Sequence, residues 1–382
     1  MPKRVVILGS TGSIGTSALN VIEALGDDFE VLALAANKNS DLLETQIQKF
    51  KPLYAGIVSE EGYSSLSDTA KRSTSVSSGS ECLEHFASLP EADIVLVAVV
   101  GFAGLNAVMA AAKAGKRVAV ANKEPLAAAG SIVTKTAKQY GAELLPVDSE
   151  HSALAQCLRS GNQKEVSKLV LTSSGGPFHE YTLQQIEAVK YEQALQHPRW
   201  NMGRKITVDS ATMMNKALEV LEARWLFDIP ADRIDVLVHP EALVHSMVEF
   251  VDGSVIAQIS EPDMKLPIQY ALTYPERVSG ACKSVNLADY QTLTFKSPDC
   301  ELFPAMRLCY DVSAEGGLKP AVFNAANEAA VSLFLNRRIS FIEIMEFVEK
   351  AINNCPSSGE VTAENIIAAD SETRRYVYSL KK

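Results

Sequence analysis

Two carboxylates and an imidazole follow a short apolar segment in the stretch Pro146-Val-Asp-Ser-Glu-His151. If the extended backbone of that segment continued, Asp148 and Glu150 would project on the same side, roughly 6.6 Å apart along the chain. Carboxylate oxygens are the ligands that Mg²⁺ and Mn²⁺ prefer. A solvated acidic loop is the alternative interpretation, and this stretch alone does not decide between it and a metal site.

A second group of polar side chains lies in the first turns of a long helix that the sequence predicts from about 210 to 227. Asn215 and Glu219 are four residues apart and share a helix face. Ser210 stands at the predicted N-cap, where it could cap the helix or, with Asn215 and Lys216, bind a phosphate at the positive helix end. Glu219 would lie about 6 Å further along the axis, which fits the reach of a short sugar phosphate.

Three carboxylates in one cleft would repel one another by about 4 kcal/mol per pair, at 4 Å and an effective dielectric constant of 20. A divalent cation would remove that cost. Because the candidate ligands are all oxygens, the residue types favour Mg²⁺ or Mn²⁺ over zinc. We therefore expect Asp148, Glu150 and Glu219 to bind one cation, provided that the two parts of the chain meet.

Three glycines separate the first predicted strand, Arg4–Leu8, from the first predicted helix, Ser17–Leu25, in the stretch Gly9-Ser-Thr-Gly-Ser-Ile-Gly15. Glycines at such a turn let backbone amides approach a pyrophosphate at the helix N-terminus. The spacing G-x-x-G-x-x-G is a weak motif by itself, but a strand before it and a helix after it are the context that dinucleotide binding requires. We expect a dinucleotide site here, and a merely structural turn is the alternative.

The end of the second predicted strand favours NADPH over NADH. NAD-specific folds place an acid there to bind the ribose hydroxyls. Here the residues Ala36-Asn-Lys-Asn-Ser40 precede the first acid, and Lys38 could bind a 2′-phosphate.

A further candidate motif is Asn122-Lys-Glu124, which follows the predicted strand Arg117–Ala121. It would lie at the carboxyl end of that strand, where open α/β sheets bind ligands. A solvated helix start is the alternative interpretation.

Alternation of short apolar segments with helical ones, from residue 4 to about 148, predicts a Rossmann-like, doubly wound parallel sheet. Residues 66–80 are rich in Ser and Thr and suggest a solvated connection. After residue 150 the pattern predicts an α+β domain, in which Asp252-Gly253 joins two strands as a hairpin. Helical periodicity from about residue 300 predicts a small C-terminal bundle. The expected domains are 1–148, 149–285 with a lid loop at about 197–204, a linker at 286–299, and 300–382.

The composition limits the classes of partner. The chain has 382 residues and a formal net charge of −10, so it lacks the basic surface that nucleic acids or anionic membranes require. The apolar run at the N-terminus is too short for a signal peptide, and no apolar run reaches the roughly 18 residues of a membrane span. The six cysteines are scattered, which favours reduced thiols in a cytoplasmic enzyme.

Together the motifs resemble the 1-deoxy-D-xylulose 5-phosphate reductoisomerase family, over nearly the whole length and in the family's order. The resemblance also rests on Ser173-Ser-Gly-Gly-Pro-Phe178, His197-Pro-Arg-Trp-Asn-Met-Gly-Arg204 and Val208-Asp-Ser210. It implies an NADPH-dependent oxidoreductase that uses Mg²⁺ or Mn²⁺ to rearrange and reduce 1-deoxy-D-xylulose 5-phosphate to 2-C-methyl-D-erythritol 4-phosphate, in the methylerythritol phosphate route of isoprenoid biosynthesis. It also implies a homodimer.

The resemblance assigns roles position by position. The residues implied to bind the cofactor are Thr11, Gly12, Ser13, Ile14, Asn37, Lys38, Asn39, Asn122, Glu124 and Gly203. The residues implied to bind the cation are Asp148, Glu150 and Glu219. The residues implied to contact the substrate or its phosphate are Lys123, Ser149, Glu150, Ser174, His197, Ser210, Asn215, Lys216 and Glu219. Trp200 would cover the site. Asn37 and Pro125 depart from the residues that are frequent in the family, Gly and Ser.

Two other functions fit parts of the pattern. A simple NADP-dependent dehydrogenase of a phosphorylated small molecule would leave the carboxylates solvated. A non-enzymatic NADPH sensor would have no use for a helix that carries phosphate and metal ligands.

Overall fold

The computed structural model describes residues 1–200, 202–280 and 282–381. Asn201 of the predicted lid loop, Ala281 and Lys382 lie outside the described residues. The chain forms two compact units. The first comprises Met1–Pro125, Val133–Ser152 and Asp263–Lys283, and the second comprises Leu126–Ile132, Ala153–Pro262 and Ser284–Lys382. The domain boundaries expected from the sequence stay predictions.

The first unit contains a seven-stranded parallel sheet. Its strands are β1 (Lys3–Leu8), β2 (Phe29–Ala36), β3 (Tyr54–Ile57), β4 (Ser75–Ser78), β5 (Ile94–Val97), β6 (Arg117–Val120) and β7 (Glu143–Pro146). The order across the sheet is β4-β3-β2-β1-β5-β6-β7, and all the pairings are parallel. The central strands are buried apolar runs, as a parallel sheet covered by helices demands.

Helices connect these strands. They are α1 (Ser13–Leu25), α2 (Ser40–Phe50), α3 (Glu60–Ser65), α4 (Asp68–Ser73), α5 (Glu81–Ala87), α6 (Leu105–Lys113) and α7 (Glu124–Tyr140). The segment Asp263–Lys283 returns to this unit with a further helix, α13 (Lys265–Thr273), whose buried residues Ile268 and Leu272 join the same core as Leu19 and Ile22 of α1.

The second unit contains a mixed sheet and most of the remaining helices. Its strands are β8 (Val166–Ser173), β9 (Ile234–Val238), β10 (Val244–Phe250) and β11 (Val255–Ile259), in the order β11-β10-β8-β9. Its helices are α9 (Leu183–Glu187), α10 (Tyr191–Ala194), α11 (Arg204–Ala211), α12 (Met214–Leu226), α14 (Pro304–Glu315), α15 (Lys319–Leu335), α16 (Phe341–Asn354) and α17 (Ala363–Ser379). A further helix, α8 (Ser149–Cys157), begins among residues of the first unit and ends among those of the second.

The predicted fold class is confirmed: a Rossmann-like parallel sheet, a mixed-sheet domain and a helical C-terminal region are all present. The hairpin at Asp252-Gly253 is also confirmed, since β10 and β11 pair antiparallel around it. None of the described helices combines the length and the apolar character that a membrane crossing requires.

The predicted single helix over 210–227 is wrong. Helix α11 ends at Ala211 and α12 begins at Met214, because Met213 adopts the left-handed conformation with φ of 61°. Ser210 therefore lies in the last turn of α11 and is not an N-cap. A residue with positive φ interrupts the i to i−4 hydrogen-bond pattern of a helix. The residue types around Met213 do not indicate this interruption.

Two further expectations are wrong in detail. The extended backbone does not continue to Glu150, because β7 ends at Pro146 and α8 begins at Ser149, with the Ser152 amide donating to the Asp148 carbonyl at 2.8 Å. Residues 66–80 are not merely a connection, since they form α4 and the edge strand β4. Serine-rich sequence suits an edge strand, where side chains can face water.

Candidate functional site

The turn between β1 and α1 can be built only with glycine at its two ends. Gly9 has φ of +92°, and a Cβ there would lie 2.4 Å from the Ala98 carbonyl oxygen. A Cβ on Gly15 would lie 2.3 Å from the Gly9 carbonyl oxygen. Gly12 is the N-cap of α1 and offers no side chain to its first amides. The amide groups at the start of this 13-residue helix are thus suited to an anionic ligand such as a pyrophosphate.

The end of β2 exposes the polar residues that were predicted to bind a 2′-phosphate. Asn37, Lys38 and Asn39 are all exposed. The Asn39 side chain accepts a hydrogen bond from the Leu42 amide at 3.2 Å and so caps α2, a structural role that was not predicted. Within the described part of the chain, Lys38 forms no ion pair, which leaves its ammonium group available to a phosphate.

Asn122 and Glu124 are buried between β6 and the start of α7. The triplet is therefore a helix start, as the alternative interpretation has it, but it is not solvated. The Asn122 amide nitrogen donates to the Gly101 carbonyl at 3.1 Å. Its Oδ1 atom is buried and has no hydrogen-bond partner among the residues that the structure describes. A buried acceptor without a donor is costly, which makes this oxygen a candidate to receive an N–H group from a ligand.

Lys123 brings a positive charge to the predicted metal ligands of the first unit. Its Nζ lies 2.6 Å from Asp148 Oδ2, and the two side chains are only 11% and 15% exposed. Asp148 immediately precedes α8, and Ser149 Oγ donates a short hydrogen bond to Glu150. Asp148, Ser149 and Glu150 are thus brought together at the start of one helix, close to Lys123.

Helix α12 carries a carboxylate that has no solvent exposure. Glu219 is 0% exposed, and it accepts short hydrogen bonds from the Asn215 amide and the Lys216 ammonium group of the same helix. Burying a carboxylate is costly unless a positive charge stays beside it, and Lys216, also buried, supplies that charge. The prediction that Asn215 and Glu219 share a face of a helix is confirmed.

The glycine-rich loop after β8 packs against α11. A Cβ on Gly176 would lie 2.5 Å from the Ser210 carbonyl oxygen, so the loop backbone can come this close only with glycine. In the same loop, Ser174 Oγ lies 3.1 Å from His197 Nε2. The structure therefore brings Ser174 together with His197, and the loop that carries Ser174 together with Ser210.

The predicted lid residue His197 is held in one tautomer by its neighbours. Its Nδ1 atom accepts hydrogen bonds from the backbone amides of Arg199 and Trp200, at 3.2 and 2.9 Å. Because Nδ1 is an acceptor, Nε2 carries the proton and donates to Ser174 Oγ. Burial lowers the pKa of His197 from 6.5 to about 4, so the imidazole is neutral at physiological pH. Gly203 is the N-cap of α11, and a Cβ there would meet nothing within 4 Å.

Asp209 is a buried acid of this region that was not predicted from the sequence. Asp209 precedes Ser210 and is 1% exposed. Its ion pair with Lys205 joins two residues of opposite charge that are four apart in one helix. That spacing was visible in the sequence and could have indicated the pair.

We predict that His197 makes the protein less stable in mild acid. The pKa of His197 is lower in the folded protein than in the unfolded chain, so below pH 6.5 the unfolded chain binds more protons than the folded protein does. This contribution to stability is therefore complete above pH 6.5 and is lost as the pH falls towards about 4. The free energy of unfolding, measured by urea titration, should fall less between pH 7 and pH 5 in His197→Gln than in the unsubstituted protein. An NMR titration in which the His197 ring becomes protonated near pH 6.5 would contradict the assignment.

Comparisons with known proteins agree with the motifs. Three family profiles match: 1-deoxy-D-xylulose 5-phosphate reductoisomerase over residues 5–130, its C-terminal domain over 144–227, and a second C-terminal domain of DXP reductoisomerase over 259–376. The chain is 48% identical to the 1-deoxy-D-xylulose 5-phosphate reductoisomerase of a Geobacillus species, over 99% of this chain and 100% of the relative. It is 46% identical to that of Clostridium perfringens, over 98% and 99% of the two chains.

Solved structures give the same result. The reductoisomerase from Zymomonas mobilis in complex with NADPH superposes with a TM-score of 0.93 and 40% identity, over 100% of both chains. A DOX-P reductoisomerase in complex with NADPH, fosmidomycin and magnesium has a TM-score of 0.93 and 37% identity, over 99% of this chain and 98% of that one. The chain belongs to the 1-deoxy-D-xylulose 5-phosphate reductoisomerase family, as its motifs predict.

Proposed function

We propose that this chain is an enzyme that converts 1-deoxy-D-xylulose 5-phosphate to 2-C-methyl-D-erythritol 4-phosphate with NADPH and a divalent cation, in isoprenoid biosynthesis. The observation that carries the proposal is the fully buried Glu219, held between Asn215 and Lys216. A residue that binds the metal ion, next to residues that bind phosphate on the same helix, is what a sugar-phosphate enzyme of this family requires. Membership of the family and solved relatives bound to NADPH and magnesium support the predicted activity and cofactors.

NADPH would bind along the carboxyl edge of the parallel sheet. The glycine turn would hold the pyrophosphate through Thr11, Gly12, Ser13 and Ile14. The exposed Lys38, with Asn37 and Asn39, would bind the 2′-phosphate, since its ammonium group forms no ion pair within the described ranges. Asn122, Glu124 and Gly203 would border the nicotinamide half, where the buried Asn122 Oδ1 could accept the carboxamide N–H group.

Mg²⁺ or Mn²⁺ would be bound by Asp148, Glu150 and Glu219. The donor set is all carboxylate oxygen, which suits these cations. When bound, the cation polarises a carbonyl oxygen of the substrate and so assists both the rearrangement and the reduction. Asp148 and Glu219 each already lie beside a lysine, Lys123 and Lys216, so neither carboxylate stands without a compensating charge.

The remaining residues would bind and enclose the substrate. Lys123, Ser149 and Glu150 would contact its hydroxyl and carbonyl oxygens. Ser174, Ser210, Asn215 and Lys216 would bind its phosphate. His197, neutral and with its proton on Nε2, can donate a hydrogen bond without adding charge, and Trp200 would help to exclude water from the closed site.

A simple NADP-dependent dehydrogenase is the second candidate function, favoured by the glycine turn alone. The two functions differ in their need for a cation, because a hydride transfer to a carbonyl can proceed without metal. A non-enzymatic NADPH sensor would show no turnover under any condition. One assay therefore separates all three: the decrease of NADPH absorbance with deoxyxylulose phosphate and Mg²⁺, repeated with excess EDTA.

We predict that EDTA abolishes turnover and that Glu219→Gln lowers kcat by about a hundredfold or more, because a metal ligand is lost. The dissociation constant for NADPH, measured by fluorescence, should stay within about threefold of that of the unsubstituted protein. Glu187→Gln, an exposed substitution of the same kind on α9, is the matched control and should change neither quantity. Equal losses of turnover and of NADPH affinity in Glu219→Gln would show that this helix does not carry the metal ligand.

We predict that Lys38→Ala raises the KM for NADPH by about tenfold, because a charge-assisted hydrogen bond to the 2′-phosphate is lost. The KM for NADH should change little, since NADH has no such phosphate. Lys113→Ala, on the exposed side of α6, serves as the control. Steady-state kinetics with both cofactors test this, and equal effects on NADPH and NADH would refute the role of Lys38.

We also propose that the protein is a homodimer, formed through the edge strand β11. Among the strands that the structure describes, β11 pairs with β10 alone, so its outer row of backbone groups is open to a further strand. Val255 and Ile256 on it, and Val251 in the preceding turn, are apolar and 50%, 37% and 69% exposed. A second copy of the chain is the occupant that the family resemblance implies.

Replacing apolar side chains of β11 by acids should prevent this association. Val255→Glu with Ile256→Glu should halve the mass measured by sedimentation at micromolar concentration, whereas Leu183→Glu, on the exposed start of α9, should not. A dimer that persists in the doubly substituted protein would exclude β11 as the interface.

We place the protein in the cytoplasm. Its six cysteines are free thiols, and burial raises the pKa of Cys82 to about 11 and that of Cys309 still further. Free thiols persist in reducing compartments. Fractionation of cells, with the protein recovered in the cytosolic extract and not in the periplasm or medium, tests this placement.

A further inference from the structure

A buried carboxylate outside the assigned site joins α11 to the C-terminal helices. Asp209, in the last turn of α11, lies directly before Ser210. Lys205 Nζ on the same helix lies 2.7 Å from Asp209 Oδ2, and Asn327 Nδ2 on α15 donates to Asp209 Oδ1 at 2.9 Å. Asp209 and Asn327 are 118 residues apart in the chain, so only the fold brings them together.

The burial of both side chains makes this contact energetically important. Asp209 is 1% exposed and Asn327 is 0% exposed. A buried carboxylate needs hydrogen-bond donors. A buried side-chain amide that makes no hydrogen bond destabilises the folded state, because it has lost its hydrogen bonds to water. The Asn327 Oδ1 atom finds no hydrogen-bond partner in the part of the chain that is described. The donation to Asp209 therefore explains why a polar residue stands at this core position of α15.

The backbone four residues after Asp209 adopts a strained conformation. Met213, between α11 and α12, has φ of 61°, a backbone conformation that residues other than glycine seldom adopt. Thr212 Oγ1 donates towards the Val208 and Asp209 carbonyls and accepts from the Met214 amide at 3.4 Å. A strained conformation persists only where its surroundings hold it. This junction sets the position of Ser210 on α11 relative to Asn215 and Lys216 on α12.

We propose that the Asp209–Asn327 contact is a clamp by which the C-terminal helices position the phosphate-binding residues. Asp209 and Asn327 are positioning residues, since they act through Ser210, Asn215 and Lys216. Fixing the end of α11 against α15 keeps these groups in the one arrangement that binds a phosphate, so loss of the clamp weakens substrate binding more than the chemical step. The inference rests on the proposed assignment of Ser210, Asn215 and Lys216 to the substrate phosphate.

The test is Asn327→Leu, which keeps the approximate volume and removes the donor. We expect the KM for deoxyxylulose phosphate to rise about tenfold, while kcat and the dissociation constant for NADPH stay within about threefold. Asn324→Leu is the matched control, because Asn324 is also 0% exposed on α15 but donates to Glu328 of its own helix. It should lower the thermal midpoint of unfolding without raising this KM. If Asn327→Leu does not fold, Asn327→Ser carries the same expectation.

An exchange of the two side chains separates positioning from a general loss of packing. Asp209→Asn combined with Asn327→Asp again pairs a carboxylate with an amide across the two helices, although Lys205 loses its ion pair with residue 209. The KM should therefore recover in part, to a value below that of Asn327→Leu. An unchanged KM in Asn327→Leu, or an equal rise in Asn324→Leu, would overturn the clamp. The phosphate assignment is tested separately by Lys216→Gln: if that variant keeps the original KM, the assignment itself fails, whatever Asn327 does.

Discussion

Two carboxylates of the predicted site each lie beside a lysine, and the proposed chemistry depends on that arrangement. Lys123 lies 2.6 Å from Asp148 in the first unit, and Lys216 hydrogen-bonds Glu219 in the second. A carboxylate with little or no solvent exposure destabilises the fold unless a positive charge lies beside it. The lysines therefore allow acids that can bind a cation to exist in the interior before any cation arrives.

The same requirement explains why the polar groups come in compact local sets. Lys216 and Glu219 are three residues apart on one helix, and Asn215 is one turn away from Glu219. Ser149 and Glu150 occupy the start of α8, and Asp148 immediately precedes it. Asn215, Lys216 and Glu219 are thus positioned by the backbone geometry of their own helix, whereas Ser174 and His197 lie in loops.

The C-terminal helices take part in this arrangement through polar contacts as well as apolar packing. Asn327 of α15 donates to Asp209, and Arg374 of α17 binds both Glu328 and Asp370. These are buried or half-buried charges with matched partners, which define one packing of the helices more sharply than apolar contacts do. A region that resembles a simple support in the sequence therefore fixes the end of α11, where Ser210 lies.

The sequence by itself determined the features that depend on residue type and short spacing. Apolar strands in alternation with helices required a parallel sheet, Gly9 and Gly15 required a tight turn, and Asn215 and Glu219 had to share a helix face. The order of the motifs over the chain was sufficient to identify the family. The roles of the individual site residues stay predictions, because each role depends on a bound molecule that side chains from distant parts of the sequence would hold together.

Only the tertiary structure decided the features that depend on long-range contacts. Met213 takes a positive φ that its residue type does not reveal, and this divides one predicted helix into α11 and α12. Ser75–Ser78 becomes a strand because β3 offers it backbone partners. The segment Asp263–Lys283 returns to the first unit, and Asn327 meets Asp209, for the same reason. Burial and pairing between residues far apart in the chain override the local preference of a segment for helix or strand. A pattern of neighbouring residues in the sequence does not show these long-range contacts.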